Sequence, residues 1–274
     1  MIDAVWPGPA AWQALAAIAA LSGLTWFASL VRRDASLVDR LWPVFFMAAA
    51  ATMFVQARGD GPRPVIALAL VVAWGARLCA YLTRRNWGHG EDRRYQALRR
   101  QHQPHFGLKS LYLVFALQAA LAWLVSWPVA VAIAGTQAPL GALDVAGIAL
   151  AAFGILYEAI ADAQMARFRS DPAQQGKVMD HGLWRTSRHP NYFGECCVWW
   201  GLFALALGAA GREAAFTVVS PLVMTGLLLK VSGVALLEKD IGERRPAYRD
   251  YIARTPAFIP GRPRATPVGP RTAR

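Results

Sequence analysis

Between Lys177 and Glu195 the chain reads Lys-Val-Met-Asp-His-Gly-Leu-Trp-Arg-Thr-Ser-Arg-His-Pro-Asn-Tyr-Phe-Gly-Glu, and its anion-binding residues crowd the start of an apolar run. Pro190 suits the first turn of a helix, where its missing N–H costs nothing, so the spacing predicts a helix beginning near His189. The unpaired N–H groups of that end, with Lys177, Arg188 and His189 around it, suit a phosphate-bearing ligand. Asn191 and Glu195 stand one turn apart and share a face, with Tyr192 beside them. A basic loop that only touches lipid headgroups would not need these three residues in that order.

Other ionisable residues fall inside or at the edge of apolar runs: Arg77, Glu158, Asp162, Lys230 and Glu238. Charges at membrane depth are costly and usually line a cavity or find partners. Glu158, Asp162 and Arg169 are spaced i, i+4 and i+11, which predicts one helix face. A cavity lining shared with Arg77 and Glu195 is favoured over a salt-bridge ladder between two helices.

The elements that must position these residues are long apolar helices. Hydrophobic residues make up 55% of the 274 and charged residues 17%, clustered between the apolar runs, more apolar sequence than one soluble core can bury. Seven spans are predicted, at 11–31, 41–57, 64–82, 111–134, 143–163, 192–210 and 214–237, the second short and carrying Pro43. The first has no Lys or Arg before it and is of full span length, so it reads as a retained helix. With the N-terminus outside, 24 of the 29 Lys and Arg fall on the inner side and 3 in outer loops, a strong positive-inside signal. The expected architecture is an all-α membrane bundle, N-terminus out and C-terminus in. It forms a single domain over 1–260, followed by a basic, Pro-rich, disordered tail at 261–274.

That topology accounts for much of the net charge of +12 and makes nucleic acid an unneeded partner. Anionic membrane lipids would meet the same face. The three cysteines, Cys79, Cys196 and Cys197, lie in apolar runs and read as buried small hydrophobes. There is no HExxH, CxxC or P-loop, so no metal is expected.

The Gly-Leu-Trp184…Arg188-His189-Pro-Asn191-Tyr192-Phe-Gly-Glu195 stretch resembles the cofactor signature of the steroid 5-alpha-reductase and sterol reductase superfamily. The likeness extends to Tyr157-Glu158, Ala161-Asp162 and Phe168-Arg169, and to Glu238…Tyr248-Arg-Asp-Tyr251…Phe258-Ile-Pro260. More weakly, it takes in Asp39-Arg-Leu-Trp42 and Trp74-Gly-Ala-Arg77. The branch it looks most like is an uncharacterised bacterial one, which implies an inner-membrane protein with its cofactor site facing the cytosol. The resemblance implies NADPH as cofactor and reduction of a conjugated carbon–carbon double bond in a steroid- or isoprenoid-like enone entering from the bilayer. Phosphate partners would come from Arg169, Lys177, Arg188 and the Arg84/Arg85 pair. Where those reductases carry a glutamate and a tyrosine on the substrate carbonyl, matching spans place Asp39 and Trp74, neither identity preserved. The superfamily also holds S-adenosylmethionine-dependent membrane methyltransferases that share the Arg-His-Pro core. Asn191 and Glu195 favour the reductases.

Overall fold

Long runs of Ala, Leu and Val bracketed by Pro, Gly and Arg favour long helices, because a helix satisfies its own backbone where no water can. The computed structural model describes residues 8–57, 61–135, 139–231, 238 and 246–264, and all regular structure among them is helical. Helix α1 (Pro9–Arg32) starts on a proline and ends on Arg33, whose φ of 52° turns its N–H back to the carbonyls of Leu30 and Ser29. It is followed by α2 (Leu37–Ala57), which continues through Pro43, and α3 (Pro62–Asn86). A short connector helix, α4 (Arg93–Gln101), leads to α5 (Phe106–Ser110). The chain then widens into a π-helical stretch, Leu111–Ala116, before α6 (Leu117–Val125) and α7 (Trp127–Ala134). Next come α8 (Ala142–Ser170) and α9 (Pro190–Ala210), then α10 (Val219–Gly226) and α11 (Ala247–Arg254).

Among the described residues six stretches are long and apolar enough to cross a membrane. The last, Pro190–Lys230, has 41 residues, about 60 Å as a straight helix and twice the ~30 Å hydrocarbon core. It breaks at Gly211, whose φ of 56° an L side chain resists, and a 3-10 stretch, Gly211–Val218, leads into α10. One apolar stretch thus contains the two predicted spans 192–210 and 214–237, giving about seven crossings. Residues 232–237 of the last span lie outside the described residues.

The predicted span 111–134 is corrected. It begins earlier, at Phe106, and ends at Val125, where Ser126 interrupts it and Pro128 opens α7. Residues Pro128 to Ile133 are all buried, and α7 packs against α2 and α3. At eight residues, about 12 Å long, it fills a core and crosses nothing.

The chain divides into two compact units. The first comprises Met1–Ala152 and Trp199–Pro221, the second Phe153–Val198 and Leu222–Arg274. In the first, α1, α2 and α3 pack in sequence. Phe46, Trp74 and Trp199 meet at ring-centroid distances of 4.7–5.5 Å, all three fully buried. Arg63, counted above among outer-loop residues, is instead buried in the first turn of α3. It grips Asp144 of α8 through two bonds, Nε–Oδ1 2.7 Å and Nη2–Oδ2 2.8 Å. Asp144 also accepts from the Gly141 N–H.

In the second unit, Gly154 of α8 faces Gly194 of α9 so closely that a Cβ on Gly154 would stand 2.5 Å from the Gly194 carbonyl. Small residues allow such backbone contact between membrane helices. Of the predicted tail, residues 261–264 are described. The Gly261 N–H donates to Thr186 O and the Arg264 N–H to Arg254 O. Residues 265–274 lie outside the described residues.

Candidate functional site

The second unit gathers the residues of the Lys177–Glu195 segment around the start of α9, which begins at Pro190 as its ring geometry predicts. The segment approaches through a 3-10 turn, Gly182–Arg185. Trp184 pins this turn to α8 by donating its indole N–H to Ala161 O at 3.0 Å, and the Leu183 N–H donates to Gln164 Oε1 at 2.9 Å. From the other side, Tyr251 of α11 donates its hydroxyl to Trp184 O, and Arg254 pairs with Asp180. Ser187 Oγ donates to Phe258 O at 2.8 Å, and the Arg188 N–H donates to Pro256 O at 2.9 Å. The two stretches that carry the resemblance, distant in sequence, are therefore knitted together.

At the centre lies Glu238. It accepts both prongs of the Arg188 guanidinium, at 2.7 and 2.8 Å, and the His189 Nε2 at 3.0 Å. The His189 ring stacks flat on Tyr192, centroids 5.4 Å apart. Burial pushes the Glu238 carboxyl up, but the hydrogen bonds and charges of His189 and Arg188 outweigh it and pull its pKa down to about 2. Arg188 also donates to the carbonyls of Ile252 and Thr255. Four of its five N–H donors are thus spent inside the protein. Arg188 was expected to face a phosphate. It instead anchors the C-terminal stretch, because a buried guanidinium needs a carboxylate at hand.

Glu158 and Asp162 of α8 and Glu195 of α9 are buried in this unit. Arg169, expected on the same face, is exposed near the end of α8, which runs past the span into the polar edge. Lys177 is also exposed. Asn191 holds its Oδ1 buried without a hydrogen-bond partner. This acceptor in the first turn of α9 fits a ligand that brings an N–H or O–H donor. The exposed Lys177 and Arg185, with Arg169, fit the phosphates of a dinucleotide.

The remaining predicted site residues belong to the first unit. Arg77, Arg84 and Arg85 stand on α3, Arg77 half-buried and the other two exposed. Trp74 is fully buried and edge-on to both Phe46 and Trp199, which is a packing environment. Asp39, in the first turn of α2, takes its partners from α4 and not from Arg32, Arg33 or Arg40. Arg94 Nη2 donates to its Oδ2 at 2.7 Å, and the Tyr95 hydroxyl donates to its Oδ1 at 2.6 Å. Gln118 Nε2 of α6 donates to the Tyr95 oxygen at 3.1 Å. Both oxygens of Asp39 are thus bonded by side chains of α4. Burial first, and Asp39 second, push the Tyr95 phenol well above its usual pKa.

Nearby, Glu91 accepts a fork from Arg99, at 2.7 and 2.9 Å, and the Ala35 N–H at 2.9 Å. Burial raises its carboxyl pKa, but these bonds and the Arg99 charge win and leave it lowered. These bonds from Glu91, with those of Asp39, clamp α4 onto the α1–α2 corner. Among the described residues no group of His, Cys, Asp and Glu is placed to hold a metal.

A family described as "Protein of unknown function (DUF1295)" matches residues 25–255. The chain is similar to "Uncharacterized protein C594.04c" of the yeast Schizosaccharomyces pombe. The two are 27% identical over 266 residues, covering 88% of this chain and 76% of the yeast protein. No solved structure matches the chain.

Proposed function

The chain belongs to the DUF1295 family, and we propose that it is a membrane reductase that binds NADPH. In this reading it reduces a carbon–carbon double bond conjugated to a carbonyl in a lipophilic, steroid- or isoprenoid-like substrate reached from the bilayer. The observation that carries the reading is the buried, unpartnered Oδ1 of Asn191 in the first turn of α9. Such an acceptor costs about 1–3 kcal/mol unless a donor meets it, and the carboxamide and hydroxyls of a dinucleotide are such donors. Lys177, Arg169 and Arg185 hold its phosphates, and Tyr192 stacks beside the site on His189. When bound, NADPH supplies a hydride. A donor must then meet the negative charge that develops on the carbonyl oxygen. The resemblance in the Arg188-His189-Pro190 core supports the reading, and a methyltransferase using S-adenosylmethionine is the alternative it shares.

Thermal unfolding of the purified protein with each cofactor tests this, because a ligand bound to the native state raises apparent stability. NADPH should raise the midpoint and S-adenosylmethionine should not, and Asn191→Ala should lose most of the rise. A rise with S-adenosylmethionine alone would reject the reductase in favour of the methyltransferase.

We further assign the N-terminus to the outside and the C-terminus and cofactor site to the cytosol of a bacterial inner membrane, on the distribution of Lys and Arg. Two contacts support the pairing of ends. Arg63 at the start of α3 meets Asp144 at the start of α8, and Asp39 at the start of α2 meets Arg94 beyond the end of α3. In intact spheroplasts, a cysteine at Glu213 should react with an impermeant maleimide and one at Gly90 should not. The opposite pattern would invert the assignment.

A further inference from the structure

The first unit contains a cavity of about 180 Å³ at the junction of α1, α4 and α5, lined among others by Ser29, Leu30, Arg33, Arg99, Phe106 and Ser110. That is room for about six waters at ~30 Å³ each and well below the roughly 300–1,000 Å³ of a drug-sized ligand site. It is too small for a dinucleotide and large enough for a phosphodiester.

Its chemistry is divided. The floor is apolar, with Leu30 and the Phe106 ring, over which the Arg99 guanidinium lies 4.6 Å from the centroid. Glu91 occupies Arg99 Nε and Nη2, and among the described hydrogen bonds none uses Nη1. Arg33, at the left-handed end of α1, is exposed, and so is its neighbour Arg32. No described carboxylate lies within salt-bridge reach of Arg32, Arg33 or Arg100. Along the chain on either side of these lining residues, apolar side chains are exposed. Phe27 and Val31 of α1 are 63% and 71% exposed, and Leu108 and Tyr112 beyond α4 are 64% and 60% exposed. That order, basic rim over exposed apolar strip, is the order of a lipid's own parts.

We propose that this cavity is a binding site for an anionic phospholipid. The lipid phosphate sits between Arg33 and Arg99, and an acyl chain lies along Phe27, Val31, Leu108 and Tyr112. A free phosphate would use the rim alone and leave the strip unexplained. Because the site is closed by the α4 connector that Glu91 and Arg99 clamp, an occupying lipid holds the corner of α1, α4 and α5 together. None of this depends on which cofactor the protein uses.

The test titrates dioleoylphosphatidylglycerol into the full chain in a neutral detergent. Unfolding midpoint is one readout, and the lipid retained, counted by native mass spectrometry, is the other. The midpoint should rise and saturate with phosphatidylglycerol, while dioleoylphosphatidylcholine and inorganic phosphate leave it in place. Arg33→Gln should raise the half-saturating lipid concentration about fivefold, the effect of one basic residue at an anionic surface. Arg33→Lys and the distant Arg212→Gln should titrate like the parent. Equal retention of both lipids, or Arg33→Gln retaining phosphatidylglycerol like the parent, would reduce the site to general lipid solvation. A full shift with inorganic phosphate alone would reassign it to a free anion. Because mass spectrometry counts bound lipid directly, a variant that is itself less stable still reports.

Discussion

Arg63→Ala should cost the protein about 3–5 kcal/mol of stability, the usual penalty for removing one partner of a buried ion pair. Asp144 is 1% exposed and Arg63 3%, so neither finds water when its partner is lost. The loss falls on the carboxylate left behind, which would keep only the Gly141 N–H. Arg63→Lys keeps the charge but forfeits the two-pronged geometry and should fall between. Replacing both residues, Arg63→Leu with Asp144→Leu, should recover most of the loss, because a well-packed apolar pair often matches a buried ion pair. Reversible unfolding in mixed micelles reads all three variants. A single Arg63→Ala as stable as the parent would mean that the pair contributes nothing.

Arg188→Ala should be comparably severe, about 3–5 kcal/mol, and its signature is local and pH-dependent. The guanidinium ties Glu238 and the carbonyls of Ile252 and Thr255 to the start of α9. Its loss should therefore release α11 before the helices melt, seen as early proteolysis after residue 246. The sign of the acid dependence follows from Glu238. Its folded pKa is lowered to about 2 from an ordinary 4.5, so its contribution is complete above about 4.5. Below that value the contribution declines, and it is gone once pH passes below about 2. In Arg188→Ala the carboxyl loses its main ionic partner, and the slope between pH 4.5 and 2 should flatten. Unchanged acid sensitivity with α11 still protected would return Arg188 to the phosphate-binding role its position suggested.

How far the sequence could be read depended on how local the signal was. The helix start at Pro190 was legible because proline at a first turn is a property of one residue, while the starts at Pro9 and Pro62 lie two residues before the predicted spans. Of the face read from spacing on α8, Glu158 and Asp162 are buried and Arg169 is exposed, because the helix runs on past the span. The break at Ser126 was missed since Trp127 to Ala134 are as apolar as any span, and Pro128 was the available warning. Arg188 was read from its neighbours as a phosphate ligand, while the carboxylate that claims it stands 50 residues away. Asp39 was read from the resemblance as a residue on the substrate carbonyl, and the side chains that bond it lie 55 and 56 residues on, where no local spacing points to them. Arg63 and Asp144, opposite charges each at the lip of an apolar run on the same predicted side, were a pairing signal left unused. So were Gly147, Gly154, Gly194 and Gly201, whose seven-residue spacing on α8 and α9 marks close backbone contact.

A π-helical stretch is an α-helix carrying one residue too many for its length, and Leu111–Ala116 is such a stretch within a membrane-crossing helix. Its history can therefore be written as a single-codon insertion. Removing one residue there would restore ordinary α geometry and rotate everything downstream by about 100° with a shift of ~1.5 Å. Gln118 would swing off the Tyr95 hydroxyl it now meets at 3.1 Å, and Ala119 and Ala122 would leave the buried side. Relatives one residue shorter between Phe106 and Leu117 must therefore present a different residue to Tyr95. Aligning them without a gap would pair positions that face about 100° apart.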